Sequence, residues 1–502
     1  MQEFKLPLQK SLTAGLKPRD VYALNTSMLT RCVGMKVREA GLERVSAIHD
    51  PTGLTTSWPN PQMFKGREVT VVADQTHVYE KAEGSWALTE IATPSAGGAW
   101  HFADFGTFYM LFNGESMVVR TPATVYTYNT NPTIKTGCNY RERVMWGGLA
   151  SDFWTATWQA LLTAETKLGY NSGMPLDFDM TGNMVFWGAI GGGDAMVWLI
   201  EPTASALPIV GPLGAGYGYD SDRPFYRDFL RRGDIGWRRM PWDGDVSCLR
   251  PVGKPVVVFG TNRVSGLNPV DTDFGLAEIS NEVGIIGRGA VAGDEKEGLV
   301  FVGSDSALYL LSPALELKRL GYEGFLSGNI DSGAVVCFDA YEKEWYIGGV
   351  SGGYVLTKKG LSETVRPPSS LYRTSAGLYG TPMLVSNEAD RVLVEWDTFN
   401  MSMRGIKTVV NVQVDYYGIN NMRVHVACGT KVGTTPRYRT STRDNGSGVF
   451  FSGLSGNDFQ MKITGDPTPE ASISDVVVRW IPLDKRFARG IMEGGAGADS
   501  TE

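Results

Sequence analysis

Histidine is the scarcest of the chemistry-bearing residues in this 502-residue chain, with four in all, and cysteine follows with five. The cysteines (Cys32, Cys138, Cys248, Cys337, Cys428) are dispersed and form no C-x-x-C pair, so the spacing of a zinc or dithiol redox site is missing. An odd, scattered set reads as free thiols in a reducing compartment, not as a disulfide framework. No apolar run approaches the ~18 residues of a membrane span, so none is expected. A basic excess is missing too: the net charge is −7 and the pI about 5.4. The chain therefore has no global pull toward nucleic acid. A mild acidic balance would let DNA slide past ungripped, and it serves plain solubility equally well. The opening Met1-Gln2-Glu3-Phe4-Lys5-Leu6-Pro7 lacks a basic segment followed by an apolar one. No signal peptide is expected, and the reading is synthesis in a cytoplasm.

What is abundant is glycine, at 61 residues, together with 25 prolines and 54 aromatics (13 Trp, 20 Tyr, 21 Phe). Many turns between strand-favouring residues point to an all-β architecture. A hydrophobic fraction of 42% with 20% charge is that of an ordinary globular chain, and its length accommodates about two to four domains.

One supersecondary unit recurs: a short apolar run, a tight polar turn, a second apolar run. It is seen at Val69–Val72 and His77–Tyr79, at Phe108–Phe112 and Met117–Val119 across Asn113-Gly114, and at Met184–Trp187 and Met196–Ile200 across Gly191–Asp194. It returns at Val256–Phe259 before Gly260-Thr261-Asn262, at Leu299–Val302 and Leu308–Leu311, and at Trp345–Ile347 and Tyr354–Leu356. Asn-Gly, Gly-Asp and Gly-Gly supply the positive φ that tight hairpins need. The steps from Val71 to Met110, from Val257 to Phe301 and from Phe301 to Tyr346 are each roughly 40–45 residues, the length of a four-stranded propeller blade. Between Met110, Phe186 and Val257 the step nearly doubles, leaving room for a cryptic blade or an insertion. Residues 66–400 are thus expected to form a β-propeller-like body of about six or seven blades.

A helical insertion is expected at about 150–169, where Trp154, Trp158, Leu161, Leu162 and Leu168 recur at helical spacing behind a Ser151-Asp152 cap. Its tryptophans suit either a local core or a partner-binding face. Beyond residue 400 the pattern becomes alternating. Val410, Val412, Val414 and Tyr416 oppose Asn411, Gln413 and Asp415; Gly418-Ile419-Asn420 is expected to reverse the chain before Met422, Val424, Val426 and Cys428. With Phe459–Ile463 and Val476–Trp480, these strands predict a C-terminal β-sandwich at 401–485. Residues 1–65 lack periodicity and read as an extended N-terminal arm; 486–502 form a tail.

The tempting motifs fail on context. Arg232-Gly233-Asp234 is three letters. Trp242-Asp243 and Trp396-Asp397 lack the upstream Gly-His of WD repeats. Asp177-Phe178-Asp179 and Asp271-Thr272-Asp273 do not continue into a calcium loop. Gly188–Gly193 has no following Lys-Ser or Lys-Thr and is no phosphate cradle. Propellers host glycosidases with paired carboxylates, and Asp74, Asp104, Asp305 and Asp339 lie near strand ends. The sialidase box and Gly-x-Ser-x-Gly are both missing, so no catalytic, cofactor or metal residue is assigned. The densest basic region runs from Arg223 to Arg239, with aromatics interleaved and Asp222, Asp228 and Asp234 diluting its charge. Arg231, Arg232, Trp237, Arg238 and Arg239, with Trp154 and Trp158, are the candidate interface residues. Arg437–Arg443 reads as a mobile or docked hairpin.

The layout resembles the packaged-DNA stabilisation and tail-nozzle proteins of short-tailed bacteriophages. The likeness lies in Tyr22-Ala23-Leu24-Asn25, Arg31-Cys32-Val33-Gly34-Met35-Lys36 and Gly41-Leu42-Glu43. It continues in the stretch from Trp237 to Pro255-Val256-Val257-Val258-Phe259-Gly260, where Lys254-Pro255 replaces polar residues of the family's element. Glu282–Gly289, Gly298–Ser304 and Val476–Trp480 complete it. The resemblance implies a structural virion protein of the tail, made in the host bacterial cytoplasm: a homohexameric ring below the portal and head-to-tail adaptor. Fibre, spike or plug proteins would attach to it, and genomic DNA would pass its lumen without sequence-specific binding. A receptor-binding or fibre-attachment tail protein is the alternative, and a propeller glycosidase the next.

Overall fold

A computed structural model describes, short loops aside, residues 1–6, 29–49, 61–149, 182–189, 236–349, 352–382, 391–399, 406–429, 437–441 and 448–483. The fold is all-β: among the described residues the one helix is Glu323–Leu326. Two compact units emerge, one of residues 48–351 and 368–385, the other of residues 1–47, 352–367 and the chain from 386 onward. Both are discontinuous in sequence.

The first unit is a β-propeller. Five four-stranded antiparallel sheets follow one another along the chain. The first blade runs from Gln62–Lys65 to Leu88–Ala92, the second from His101–Asp104 to Val125–Tyr128 and the third from Ile134–Tyr140 to Gly236–Arg239. The fourth runs from Cys248–Pro251 to Asp273–Ser280 and the fifth from Val291–Asp294 to Leu317–Gly321. Two further antiparallel pairs, Val335–Asp339 with Glu344–Gly348 and Pro368–Thr374 with Gly377–Pro382, supply the sixth and seventh positions of the ring. The expected hairpins fall on second and third strands, as at Tyr109–Phe112 with Met117–Arg120 and Leu299–Val302 with Leu308–Leu311. The residue pattern explains their depth: Tyr109–Phe112, Val256–Phe259 and Gly298–Val302 are buried throughout, as continuous apolar strands between two neighbouring blades must be.

The doubled step has a definite cause. Met184–Ala189 pairs with Arg143–Leu149 on one side and with Gly236–Arg239 on the other, so a single blade is spread from residue 134 to 239. The chain between its strands holds two long inserts, 150–181 and 190–235. Both lie outside the described residues, as do the expected helix at 150–169 and the expected strand Met196–Ile200.

First strands of successive blades stand side by side: second beside third, third beside fourth, fifth beside sixth, sixth beside seventh, and seventh beside first. The remaining steps are bridged by hydrogen bonds. Trp100 N–H donates to Gln62 Oε1 at 2.6 Å, and Ile285 N–H to the Gly260 carbonyl at 3.0 Å. Closure therefore joins Gln62–Lys65 to Pro368–Thr374, some 300 residues apart, through a chain of hydroxyls. Met63 N–H donates to Ser370 Oγ at 2.7 Å, Ser369 Oγ donates to the Pro61 carbonyl, and Ser370 Oγ lies 2.6 Å from Thr381 Oγ1. Ser370 is 6% exposed and Thr381 fully buried. Replacing Ser370 by alanine strands the buried Met63 N–H. The expected cost is about 1–3 kcal/mol, read as a lower urea midpoint at unchanged slope.

The second unit is built on two long antiparallel strands, Lys407–Gly429 and Asp458–Pro482, paired along their whole length. Arg437–Ser441 and Val449–Gly456 lie in succession along the outer edge of the first. Val392–Phe399, Gly41–Arg44 and Gln2–Lys5 lie in succession along the second. The arm expected at 1–65 is divided: Gln2–Lys5, Leu29–Val33, Met35–Arg38 and Gly41–Arg44 are strands of this sheet, whereas Gln62–Lys65 is the first strand of the propeller because it pairs with Thr70–Ala73; residues 7–28 and 50–60 lie outside the described set. Lys5 pairs with Asp475 at 2.7 Å, and Arg479 Nε donates to Glu3 at 2.8 Å. Alternate burial holds as expected at Val412, Val414, Met422, Val424 and Val426, facing Phe459, Met461, Ile463, Val476 and Val478.

Two sequence expectations are corrected in this sheet. The chain does not reverse at Gly418–Asn420: the strand continues, with register shifts near Asp415/Tyr416, Tyr417/Ile419 and Asn420/Arg423. Gly418 at φ +65° and Asn421 at φ +50° bend the strand as bulges do, without closing a turn. A further shift between Val409 and Asn411 places Val409 in the core, where alternation had placed Val410.

Candidate functional site

The chemistry-bearing side chains that converge lie on the first strands of the propeller and the segment before the fifth blade. His101 is 1% exposed at the start of the second blade. Its Nδ1 lies 2.8 Å from Thr136 Oγ1 and its Nε2 lies 2.9 Å from the Arg288 carbonyl. Thr136, fully buried on the third blade, already accepts from Leu249 N–H of the fourth at 3.1 Å. Its hydroxyl proton is therefore free for His101 Nδ1, which fixes the neutral tautomer with the proton on Nε2. Burial first, and then the nearby Arg288 and Arg250 guanidiniums, hold the imidazole well below its ordinary pKa.

Arg288 carries the same cluster across the ring. Its Nε donates to the Ala99 carbonyl at 3.0 Å, and Nη2 donates to the Phe112 carbonyl at 3.1 Å and to the Lys135 carbonyl. A side chain at the entry to the fifth blade thus ties together the second and third. Desolvation lowers its pKa to about 10. Gly114, at φ +95° in the Asn113-Gly114 turn, leaves the space that the guanidinium occupies.

Cys138, Cys248 and Cys337 lie on the first strands of the third, fourth and sixth blades. All five cysteines are free thiols. Burial pushes Cys138 and Cys337 up to about 12, and Cys248 upward as well, so these three are neutral and unreactive near pH 7. Among the described residues no group of three or more His, Cys, Asp or Glu is arranged to hold a metal.

A second feature is a cleft of about 560 Å³ beside the third blade, lined by Asn183, Arg239, Trp242, Asp243, Asp245 and Arg263 among others. Asn183 Nδ2 donates to the Trp242 carbonyl at 2.5 Å and shapes its wall. The strand Gly236–Arg239 at its border carries three of the candidate interface residues. Arg238 Nη2 donates to the Phe274 carbonyl at 2.8 Å, whereas Arg239 is exposed on the cleft. Trp237 pairs through its backbone with Phe186. Trp154, Trp158, Arg231 and Arg232 lie outside the described residues.

The four strand-end carboxylates are each engaged at a turn. Asp74 Oδ1 accepts from Thr76 and His77 N–H, and Asp104 Oδ2 from Arg67 N–H. Asp305 accepts from Tyr309 and Arg319, and Asp339 from Arg373. Trp242 and Trp396 are buried core residues, and the Arg437–Ser441 segment is a paired strand.

No protein-family profile matches the chain, and no curated protein sequence does. Solved structures share similarity at low identity. The extracellular domain of BT4673 from B. thetaiotaomicron aligns over 74% of this chain at 8% identity and TM-score 0.36. The Pan2 WD40 domain of Neurospora crassa aligns over 64% of this chain and 84% of its own, at 6% identity and TM-score 0.34. PorZ of Porphyromonas gingivalis, a surface component of a type-IX secretion system, aligns over 70% at 10% identity and TM-score 0.28. The chain spans 44% of the first and third of these. The propeller assignment rests on the strand order and ring closure described above.

Proposed function

We propose that this chain is a structural virion protein: a phage tail nozzle or hub that forms a homohexameric ring below the portal and head-to-tail adaptor. In this reading it retains packaged DNA and conducts it during ejection, as part of the virion tail. The observation that carries the proposal is the set of buried hydrogen bonds that tie blade to blade. Arg288, His101 and Thr136 spend their polar groups on linking blades to one another. The propeller is thereby suited to serve as a rigid brick, its contacts made from the outside. Radial closure leaves few free sheet edges to aggregate, which suits a subunit held at high local concentration in a ring. Identical subunits in a ring make heterologous contacts that close.

The sequence resemblance supplies the rest of the reading: an adaptor above, fibre, spike or plug proteins around or below, and DNA passing through the lumen. The net charge of −7 agrees with a surface that does not grip DNA. Negative-stain images of the purified protein test the proposal. Six-fold rings with a central opening are expected. A trimeric rod would replace the nozzle with a fibre-attachment protein. Glycan release abolished by Asp305→Asn or Asp339→Asn would replace it with a glycosidase.

A further inference from the structure

In the second unit, the long strand Asp458–Pro482 has Gln2–Lys5 along the last stretch of its edge. Four register pairs hold it there, from Gln2 with Trp480 to Lys5 with Val477. Leu6 N–H adds a bond to the Val476 carbonyl at 2.9 Å. Leu6 is 1% exposed, so the segment carries a buried apolar anchor. The Lys5–Asp475 and Glu3–Arg479 ion pairs are partly exposed and contribute little. Without this strand, Val476–Trp480 would present a row of bare N–H and C=O groups.

The link to the rest of the chain is long and must reach far. Leu6 lies beside Val476, whereas Leu29 pairs with Trp396, which in turn pairs with Met461. Those two points on the long strand, Met461 and Val476, stand fifteen residues apart. That is about 50 Å along the strand at the usual rise. The 22 residues 7–28 reach at most about 75 Å. Joining the two points within one chain takes up about two-thirds of that reach. A link drawn so far gives its own strand little local-concentration advantage over a neighbour's. The contacts of Gln2–Leu6 are the same whichever copy supplies them, so exchange sacrifices none of them. We infer that Met1–Leu6 of one copy completes the sheet edge Val476–Trp480 of the next copy. The inference rests on the ring reading above and names the segment that joins its subunits. Strand and edge are two different surfaces, as the heterologous contact of a closed ring requires.

Glu3 and Arg479 are register partners, which supplies the test. Such partners in an antiparallel pair have Cα atoms about 4.5–5.5 Å apart, within the span of a disulfide. The full chain carrying Glu3→Cys and Arg479→Cys, mildly oxidised and run denatured without reductant, should give a ladder of linked chains. The native thiols are free and four of the five are buried, so the ladder reports the introduced pair. Co-expression of Glu3→Cys chains with differently tagged Arg479→Cys chains should give a disulfide-linked pair bearing both tags. A disulfide confined within single chains overturns the inference, and so does the absence of any disulfide. If the double variant does not fold, the co-expressed single variants decide the matter, and no doubly tagged pair overturns the inference. Native mass spectrometry of the same samples separates this result from the ring itself. Six copies with internal disulfides only would refute the exchange and leave the ring. Linked chains without a six-copy species would refute the ring and leave the exchange.

Discussion

Replacing Arg288 by methionine is expected to lower the stability of the propeller by about 3–5 kcal/mol, the cost of the carbonyl acceptors left bare less the desolvation of the cation that is relieved. The side-chain volume is nearly kept, so the loss is polar. The carbonyls of Ala99, Phe112 and Lys135 each lose a charged donor. Each acceptor left without a partner away from water costs about 1–3 kcal/mol. Release of the desolvated cation offsets part of this, which is why the total stays below the sum. Arg288→Lys should recover little, because one ammonium cannot reproduce a fork that reaches two blades. Urea unfolding of the three proteins measures the effect. A loss under 1 kcal/mol for Arg288→Met would mean that the ring is held by its apolar blade interfaces alone.

The second large effect is on acid stability. His101 is neutral in the fold, its pKa held well below the ordinary 6.5 by burial and by the two guanidiniums. The unfolded chain takes up its proton near pH 6.5, and the folded chain does so only at much lower pH. The stability from His101 is therefore fully present above pH 6.5 and is lost as pH falls toward the folded pKa. The slope is about 1.4 kcal/mol per pH unit. Stability is therefore expected to fall between pH 7.5 and pH 5, most steeply below pH 6.5. In His101→Gln, whose amide can still meet Thr136 and the Arg288 carbonyl, that component of the pH dependence should disappear. The difference in stability between wild type and variant, measured by urea titration from pH 8 to pH 5, should shrink as the pH falls. A difference that stays constant would contradict the neutral, doubly bonded histidine.

The body of the propeller was legible in the sequence because its signals are local. Asn113-Gly114 and Gly303–Ser306 are turns by their own chemistry, and Val256–Phe259 is a buried strand by its own composition. What was hidden depends on distant residues. The third blade is one blade, although its strands run from residue 134 to 239, and only strand pairing reveals that the wide step is insertion. The ring closes through Ser369, Ser370 and Thr381, polar residues that look like loop in a linear reading. In the long C-terminal strands, alternation gave the right face for Met422, Val424 and Val426. It failed at Val409 and at Gly418, where bulges shift the register without any mark of polarity.

The candidate site was less legible still. His101, Thr136, Arg250 and Arg288 carry no motif, and 187 residues separate the histidine from the carbonyl it meets. The scarcity of histidine, four in the chain, was the one hint, and it points to no partner. The arginines that the sequence singles out as interface candidates are Arg231, Arg232, Arg238 and Arg239. In the structure Arg238 is tied to Phe274 and Arg239 faces the cleft, while Arg288, which ties the second and third blades, stands outside that set.

The most direct test of the proposed role is the subunit count of the purified full-length protein by native mass spectrometry at micromolar concentration. A nozzle subunit should give a closed species of six copies, stable as ionic strength rises if its contacts are mainly apolar. A chain that remains monomeric across that range, or assembles as a trimer, would contradict the ring.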